Sequence, residues 1–199
     1  MTEATVSRRW ECEVDFGPDW LVSEVGAAAD LDAWLARRPD LAPRAEELRT
    51  LLDQACAIAF GGGAVCVGLL VAALGDELRY GVLQLSVTER DLPDDPRAAL
   101  AALRADDEED DAVFPGSWQG DLLPLDRGGD ALRIRVLDAG DGGAPEPQPV
   151  YEVVEYLVSS EPGGPVAQFV FLTPALDVGE ELIEVADLVV GTFRWDGPA

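Results

Sequence analysis

Apolar residues recur along the chain with two periods, and the changes of period mark the predicted elements. From Arg9 to Phe16 every second residue is apolar, which predicts a strand near a sheet edge with one buried and one wet face. Trp20 to Val25 predicts a second short strand, and Asp30 to Arg38 a short helix that stops at Pro39. A longer helix is predicted to begin at Pro43. Its apolar stripe consists of Leu48, Leu51, Leu52, Ala55 and Ile58.

The following segment predicts a tight hairpin with two apolar faces. Ala64–Leu74 and Glu77–Glu89 are strand-like, and Gly75-Asp76 between them suits a two-residue turn. With Leu74 opposite Glu77, one face carries Val67, Leu69 and Val71 opposite Gln84, Val82 and Tyr80. The other carries Cys66, Gly68 and Leu70 opposite Leu85, Leu83 and Gly81. Either helices of this chain cover both faces, or one face is left for a partner. The small residues Cys66, Gly68 and Gly81 mark the face that another backbone could approach closely.

The three glycines before this hairpin, Gly61-Gly62-Gly63, predict a helix C-terminus and not a phosphate-binding loop. Phosphate loops run from strand through glycines to helix, whereas here a helix precedes the glycines and a strand follows. The uncharged stretch from Ala55 to Leu74 is long enough to span a bilayer. The glycine break and the acidic residues on either side favour two elements of a globular protein, so we expect no membrane segment.

The second half predicts two further helices and three strands. Asp95-Pro96 is a cap and first-position pair that opens a helix through Leu103 or Arg104. Leu132, Ile134 and Val136 alternate with arginines in a strand, and Val150–Ser159 and Val166–Thr173 form a hairpin. From Val178 the spacing becomes helical and closes on Thr192–Trp195, with Arg194 in the last turn. The apolar face of that helix consists of Leu182, Ala186, Val189 and Phe193.

This order of elements predicts one α+β domain over residues 1–199. We expect a mostly antiparallel β-sheet with helices packed on its faces, because hairpins and intervening helices replace the βαβ alternation of a parallel sheet. Flexible loops are predicted near residues 105–120 and 139–149, where charged residues, glycines and prolines cluster.

The formal net charge of −25 narrows the classes of partner. Nucleic acids and anionic membrane surfaces require a basic footprint, which the chain does not supply. Every cation is arginine, as expected of a GC-rich genome whose cytoplasmic proteins are acidic, and a solvated halophilic surface would look similar. Docking of a basic partner and mimicry of a nucleic acid are the functional alternatives.

The chain contains no histidine, which removes Ser-His-Asp and Cys-His catalysis and histidine zinc sites. Cys12, Cys56 and Cys66 lie in apolar patterns without a CxxC motif, as buried thiols of a reducing cytosol do. No apolar run follows the arginines at residues 8 and 9, so we expect no signal peptide and a cytoplasmic protein. The sequence predicts no catalytic residue, no cofactor and no metal site.

A run of carboxylates and two nearby aromatic residues are the candidate partner-binding residues. As a calcium loop, the run lacks the glycine and the glutamate that such a loop needs at its sixth and twelfth positions. We interpret it as a solvated loop able to dock basic residues, followed by aromatic side chains that either anchor on the core or contact a partner. The candidates are Asp106, Asp107, Glu108, Glu109, Asp110, Asp111, Phe114 and Trp118.

Three stretches resemble the actinobacterial PsbP/Mog-like (LpqN-like) family. They are the turn Gly17-Pro18-Asp19-Trp20, the strand ending in Phe169-Val170-Phe171-Leu172-Thr173-Pro174, and the helix closing on Thr192-Phe193-Arg194-Trp195. The resemblance lies mainly within residues 150–195. It implies an α/β/α sandwich that works by protein–protein contact and not by catalysis. The absence of a signal peptide and a lipidation cysteine argues against the envelope role of the lipoproteins in that family.

Three functions are compatible with these observations. The first is a non-catalytic cytoplasmic protein-binding module, for example a chaperone or accessory protein of a secretion or toxin system. Its partner would be a protein that is basic or presents an apolar helix. The second is an acidic immunity or inhibitor protein that neutralises a basic toxin. The third is an enzyme that uses carboxylates, although no pair of them stands out.

Overall fold

The computed structural model describes residues 11–25, 27, 29–90, 92–109, 117–127, 129–139, 150–161 and 164–196. Nine strands are described: β1 (Glu11–Glu13), β2 (Trp20–Glu24), β3 (Cys66–Leu74), β4 (Glu77–Thr88), β5 (Gln119–Pro124), β6 (Asp130–Ala139), β7 (Val150–Ser159), β8 (Val166–Thr173) and β9 (Arg194–Asp196). Four α-helices accompany them: α1 (Leu31–Arg37), α2 (Ala45–Gly61), α3 (Pro96–Glu109) and α4 (Gly179–Gly191). The predicted α+β class with a mostly antiparallel sheet is confirmed.

Seven strands form one antiparallel sheet in the order β2-β3-β4-β8-β7-β6-β5. The predicted register of the β3–β4 hairpin is confirmed, with Leu74 opposite Glu77 and Val67 opposite Gln84. Gly75 has φ +62°, as its turn requires. The remaining two strands, β1 and β9, pair with each other in a separate ribbon, so the first predicted strand does not lie at the edge of the main sheet.

Helices cover both faces of the sheet. We call the face that carries Val82 and Leu172 the front face and the opposite one the back face. On the front face, α1 and α2 pack on β2 and β3 through an apolar cluster around Trp34 and Leu48, and α3 packs on β5 and β6 through Ala99 and Leu103. On the back face α4 packs on the central strands.

Several sequence predictions are corrected by the fold. Ile58 is 75% exposed, so the buried stripe of α2 does not include it. Pro43 lies in a 3-10 turn (Ala42–Arg44) ahead of α2 and not in its first turn. Arg194 lies in β9 and not in the last turn of α4, because the helix ends at Gly191.

The sequence predicted that another backbone could lie close to the small residues of the β3–β4 hairpin. In the structure, aromatic rings lie on its two glycines instead. Phe16 and Trp20 lie on Gly68, and the ring of Phe171 lies on Gly81. Both faces of the hairpin are covered at β3, so the alternative in which a whole face is bare is wrong there. The front side of β4 is different, and it leads to the candidate site.

The described helices include none that is both long and apolar enough to cross a bilayer. The segment from Ala55 to Leu74 divides, as predicted, between the end of α2 and β3. Gly62 closes that helix, and Gly63 follows with φ +89°, a left-handed conformation that glycine adopts readily.

Candidate functional site

The helix layer on the front face has a gap over the middle of the sheet. Strand pairing places Val82 opposite Leu172, Leu172 opposite Val153, and Val153 opposite Val136. These four aliphatic residues therefore form one row that crosses β4, β8, β7 and β6. All four side chains are half-buried, although three of their strands, β4, β8 and β7, are the central ones of the sheet. Central strands are normally the most deeply covered part of such a layer, so this row marks an opening.

We call this opening the central strip. It comprises Tyr80, Val82, Val136, Tyr151, Val153, Val170 and Leu172, and every one of these residues is half-buried. Within the part of the chain that the structure describes, Val153, Val170 and Leu172 belong to none of the four apolar clusters. Helix packing therefore leaves the middle of the strip without a cover from the described elements.

One end of the strip is aromatic. Tyr80 on β4 and Tyr151 on β7 lie on either side of the end of β8 and are close enough to interact electrostatically. Partial burial, together with the neighbouring Tyr151, raises the pKa of the Tyr80 hydroxyl. Tyrosine rings with one apolar surface and one wet hydroxyl are frequent in protein interfaces.

The other end of the strip is polar. Gln168 donates from Nε2 to Oε1 of Glu155 at 2.6 Å, and Arg90 donates to the same oxygen at 3.1 Å. Ser86 donates from Oγ to Oε1 of Gln168 at 3.4 Å. The strip therefore changes from aromatic to aliphatic to hydrogen-bonding along the strands.

Two side walls border the strip. On one side Cys56 and Phe60 of α2 pack in the same cluster as Val82. On the other side Trp118 shares a cluster with Val136, and the Arg104 guanidinium of α3 lies 5.6 Å from the Trp118 ring centre. The Trp118 ring also fills the space over Gly120.

The structure places the described partner-binding candidates on the last turn of α3 and in the segment just before β5. Asp106, Asp107, Glu108 and Glu109 form the last turn of α3, so the predicted loop over 105–120 is wrong at its beginning, and also at its end, where β5 begins at Gln119. Trp118 is a half-buried anchor on the core beside the strip. Asp110, Asp111 and Phe114 lie outside the described residues, as do residues 140–149 of the second predicted loop.

The central strip itself was not predicted from the sequence. In β7 and β8 its residues alternate with fully buried ones. Such alternation indicates a strand, but it does not indicate which helix covers each face of the sheet. A usable indication was present in the hairpin prediction, because the apolar Tyr80 and Val82 required a cover on the front face.

A second polar arrangement lies on the back face, between α4 and the strands β5 to β7. Tyr156 donates to Oδ1 of Asp187 at 2.7 Å, and Arg133 bridges Asp187 and Asp121. Burial raises the pKa of the Asp187 carboxyl, against the opposing effect of Tyr156 and Arg133. Each of these groups has a partner inside the network, as expected of a polar tie, by which we mean a set of hydrogen bonds and ion pairs that holds the helix on the sheet.

A cleft of about 730 Å³ lies between the β1/β9 ribbon and the ends of β2 to β4. Its lining includes the thiols of Cys12 and Cys66, the apolar Phe16 and Leu85, and several carboxylates. Burial raises the pKa of both thiols, that of Cys66 to about 12, so neither is activated as a nucleophile. Among the described residues, no group of three or more Cys, Asp or Glu side chains is placed to hold a metal ion.

The chain was compared with protein-family models, with curated proteins and with solved structures, and none of the three comparisons gave a match. The likeness to the PsbP/Mog-like family therefore stays a prediction, and the conclusions about function depend on the geometry of this chain alone.

Proposed function

We propose that this protein is a non-catalytic protein-binding module and that the central strip is its contact surface. The observation that supports this proposal is the row Val82, Leu172, Val153 and Val136, which stays only half-buried across the middle of the front face. Apolar surface covered by a partner contributes about 2.5 kcal/mol per 100 Å² before the costs of association. The buried core of a protein interface is more apolar than the rest of the surface, and tyrosines such as Tyr80 and Tyr151 are enriched there.

The net charge supports a basic partner. A formal charge of −25 attracts cationic proteins over about a Debye length and accelerates their association. The proposal includes a chaperone or accessory protein of a secretion or toxin system and an inhibitor that covers a basic toxin. If the protein inhibits a basic toxin through its acidic surface, the affinity should fall steeply with added salt. If the contact is made through the aliphatic row, the affinity should depend little on salt.

The back-face network gives no specific support to a carboxylate-based enzyme. Asp187 is held by Tyr156 and Arg133, and Glu152 is held by Arg135, so these carboxylates already have protein partners. These contacts favour a structural role for the carboxylates of Asp187 and Glu152.

A substitution in the strip tests the proposal. Tagged wild-type protein and the Leu172→Glu variant are purified from the native host, and stoichiometric partners are identified by mass spectrometry and reconstituted from pure components. We expect a partner whose affinity falls at least tenfold with Leu172→Glu, because a carboxylate would be placed in the apolar contact.

Leu188→Glu is the matched control, because Leu188 is a 73% exposed leucine of α4 on the back face. Equal affinity of the reconstituted partner for wild type and Leu172→Glu, or an equal loss with Leu188→Glu, would overturn the proposal. Thermal unfolding of all three proteins shows whether they are folded.

A further inference from the structure

The spacing of the front-face helices defines the shape of what would fill the gap. α2 packs on β3, and α3 packs on β5 and β6. From β3 to β6 the sheet order β3-β4-β8-β7-β6 contains four interstrand steps. Strands lie about 4.8 Å apart, so the two helices are separated by roughly 19 to 22 Å. Packed helices lie about 8 to 10 Å apart, and a single additional helix would therefore contact both neighbours.

The length of the strip suits a short helix. Along β4, the residues from Tyr80 through Val82 to Gln84 cover the aromatic end, the aliphatic row and the beginning of the polar end. The four residue-to-residue steps from residue 80 to residue 84 rise about 13 Å, the length of roughly nine helical residues. A helix with apolar side chains at positions i, i+3, i+4 and i+7 would place all four on this floor.

The charge beside the strip determines the polar face of that helix. α3 runs from Ala99, which packs near Leu132 and Leu157, towards Arg104 over Trp118, at the level of Val136. In sequence, the last turn of this helix, residues 106–109, consists of four acidic residues. The C-terminal end of a helix also has a negative dipole, so the end of α3 favours cationic groups on a partner.

We infer that the central strip receives one amphipathic α-helix of a partner protein. Its apolar face would lie on the aliphatic row, and its lysine or arginine residues would lie next to the last turn of α3. This inference depends on the proposed function and makes it more specific, since it names the structural element and the charge of the partner. An extended strand added at a sheet edge is the alternative mode of recognition.

Designed peptides test the inference on the intact protein. The first is a fluorescein-labelled 16-residue peptide with leucine at i, i+3, i+4 and i+7 spacing and lysine on the other face. The second has the same composition with two central residues replaced by their D-enantiomers, which breaks the helix. The third carries glutamate in place of lysine. Binding is measured by fluorescence anisotropy against wild type, Leu172→Glu and Leu188→Glu.

We expect the lysine helix to bind wild type and Leu188→Glu equally, and Leu172→Glu at least tenfold more weakly. The helix-broken peptide should bind at least tenfold more weakly than the lysine helix. The glutamate helix should bind more weakly than the helix-broken peptide. Combining Asp106→Asn, Asp107→Asn, Glu108→Gln and Glu109→Gln should reduce the lysine-over-glutamate preference at least threefold. Equal binding of the intact and broken peptides, or insensitivity to Leu172→Glu, would overturn the inference.

A competition experiment separates this inference from the proposed function. The native partner of the preceding section is bound to the protein, and the lysine helix is added. Displacement supports the inference. If binding of the partner depends on Leu172 but a saturating helical peptide does not displace it, the inference of a helical ligand is wrong and the proposed function is still supported. A partner that does not depend on Leu172 would overturn both.

Discussion

At the scale of single residues, two glycines control how aromatic side chains lie on the back face. A Cβ atom at Gly68 would lie 2.5 Å from the Phe16 ring and 2.8 Å from the Trp20 ring. A Cβ atom at Gly81 would overlap the ring of Phe171, which is fully buried. Both glycines are therefore required by packing, and neither has a positive φ.

Replacement of Gly81 by alanine should destabilise the fold by about 1–3 kcal/mol, because the fully buried Phe171 ring would have to be displaced. Urea unfolding followed by circular dichroism measures the change. Gly61→Ala is the control, since a Cβ there meets nothing within 4 Å and alanine favours the helix that ends at this residue. A Gly81→Ala variant as stable as wild type would contradict the packing described here.

We predict that the buried Cys66 thiol makes the folded protein less stable at alkaline pH. Its pKa is raised from 9.0 to about 12, because burial disfavours the thiolate. Between these values the unfolded chain releases a proton that the folded protein retains, so the free energy of unfolding should fall by about 1.4 kcal/mol per pH unit. Urea titrations from pH 8.5 to 10.5 in the presence of a reductant measure this slope.

Cys66→Ala should reduce this alkaline slope, whatever its effect on stability at pH 7. Leu176→Ala, a substitution at an exposed residue that does not line the cleft, should leave the slope as in wild type. Identical slopes in wild type and Cys66→Ala would show that the thiol is not held protonated by the fold.

At the scale of elements, α4 is attached to the sheet by both apolar packing and a polar tie. Leu182, Ile183, Ala186 and Val190 are buried against the central strands. Asp187, on the same helix, accepts from Tyr156 and pairs with Arg133. The tie fixes the rotation of the helix, because only one orientation brings the Asp187 carboxylate to Tyr156.

Asp187→Ala should destabilise the protein by about 1–3 kcal/mol, since it leaves the buried Tyr156 hydroxyl without its acceptor and Arg133 with Asp121 alone. Glu184→Ala tests an exposed position on the same helix and should stay within about 0.5 kcal/mol of wild type. Chemical denaturation of the two variants measures both values. A smaller loss for Asp187→Ala than for Glu184→Ala would rule out the tie.

Most elements could be predicted because their local patterns agree with the fold. The register of the β3–β4 hairpin followed from its turn and its alternation, and the bounds of β7 and β8 are those predicted. The end of α4 could not be predicted, since Phe193 continues the apolar pattern although β9 begins at the next residue. The central strip also escaped prediction: the apolar Tyr80 and Val82 indicated that the front face needs a cover, but which strands α2 and α3 cover is a property of the tertiary packing.

At the scale of the whole molecule, charge opposes folding. Thirty-nine acidic residues against 14 basic ones leave a net charge of −25, and the described arginines are mostly engaged in ion pairs with a few of these carboxylates. The remaining like charges repel one another more strongly in the folded protein than in the expanded chain. Salt screens this repulsion.

The urea midpoint should therefore rise as NaCl increases from 0.05 to 0.5 M at pH 7. Repeating the series near pH 4.1, the isoelectric point of the sequence, provides the control, because the net charge and hence the salt effect should largely vanish there. A midpoint that falls with salt at pH 7 would mean that ion pairs outweigh repulsion.

The β1/β9 ribbon joins residues 11–13 to residues 194–196. Such a pairing cannot form on the ribosome until the last of these residues has emerged, so the wall of the cleft beside Cys12 and Cys66 is completed only after the sheet it covers has been synthesised. During synthesis the Cys66 thiol, which is buried in the finished protein, would be more open to oxidants. A nascent chain halted before Arg194 should therefore be alkylated at Cys66 far faster than the full-length protein.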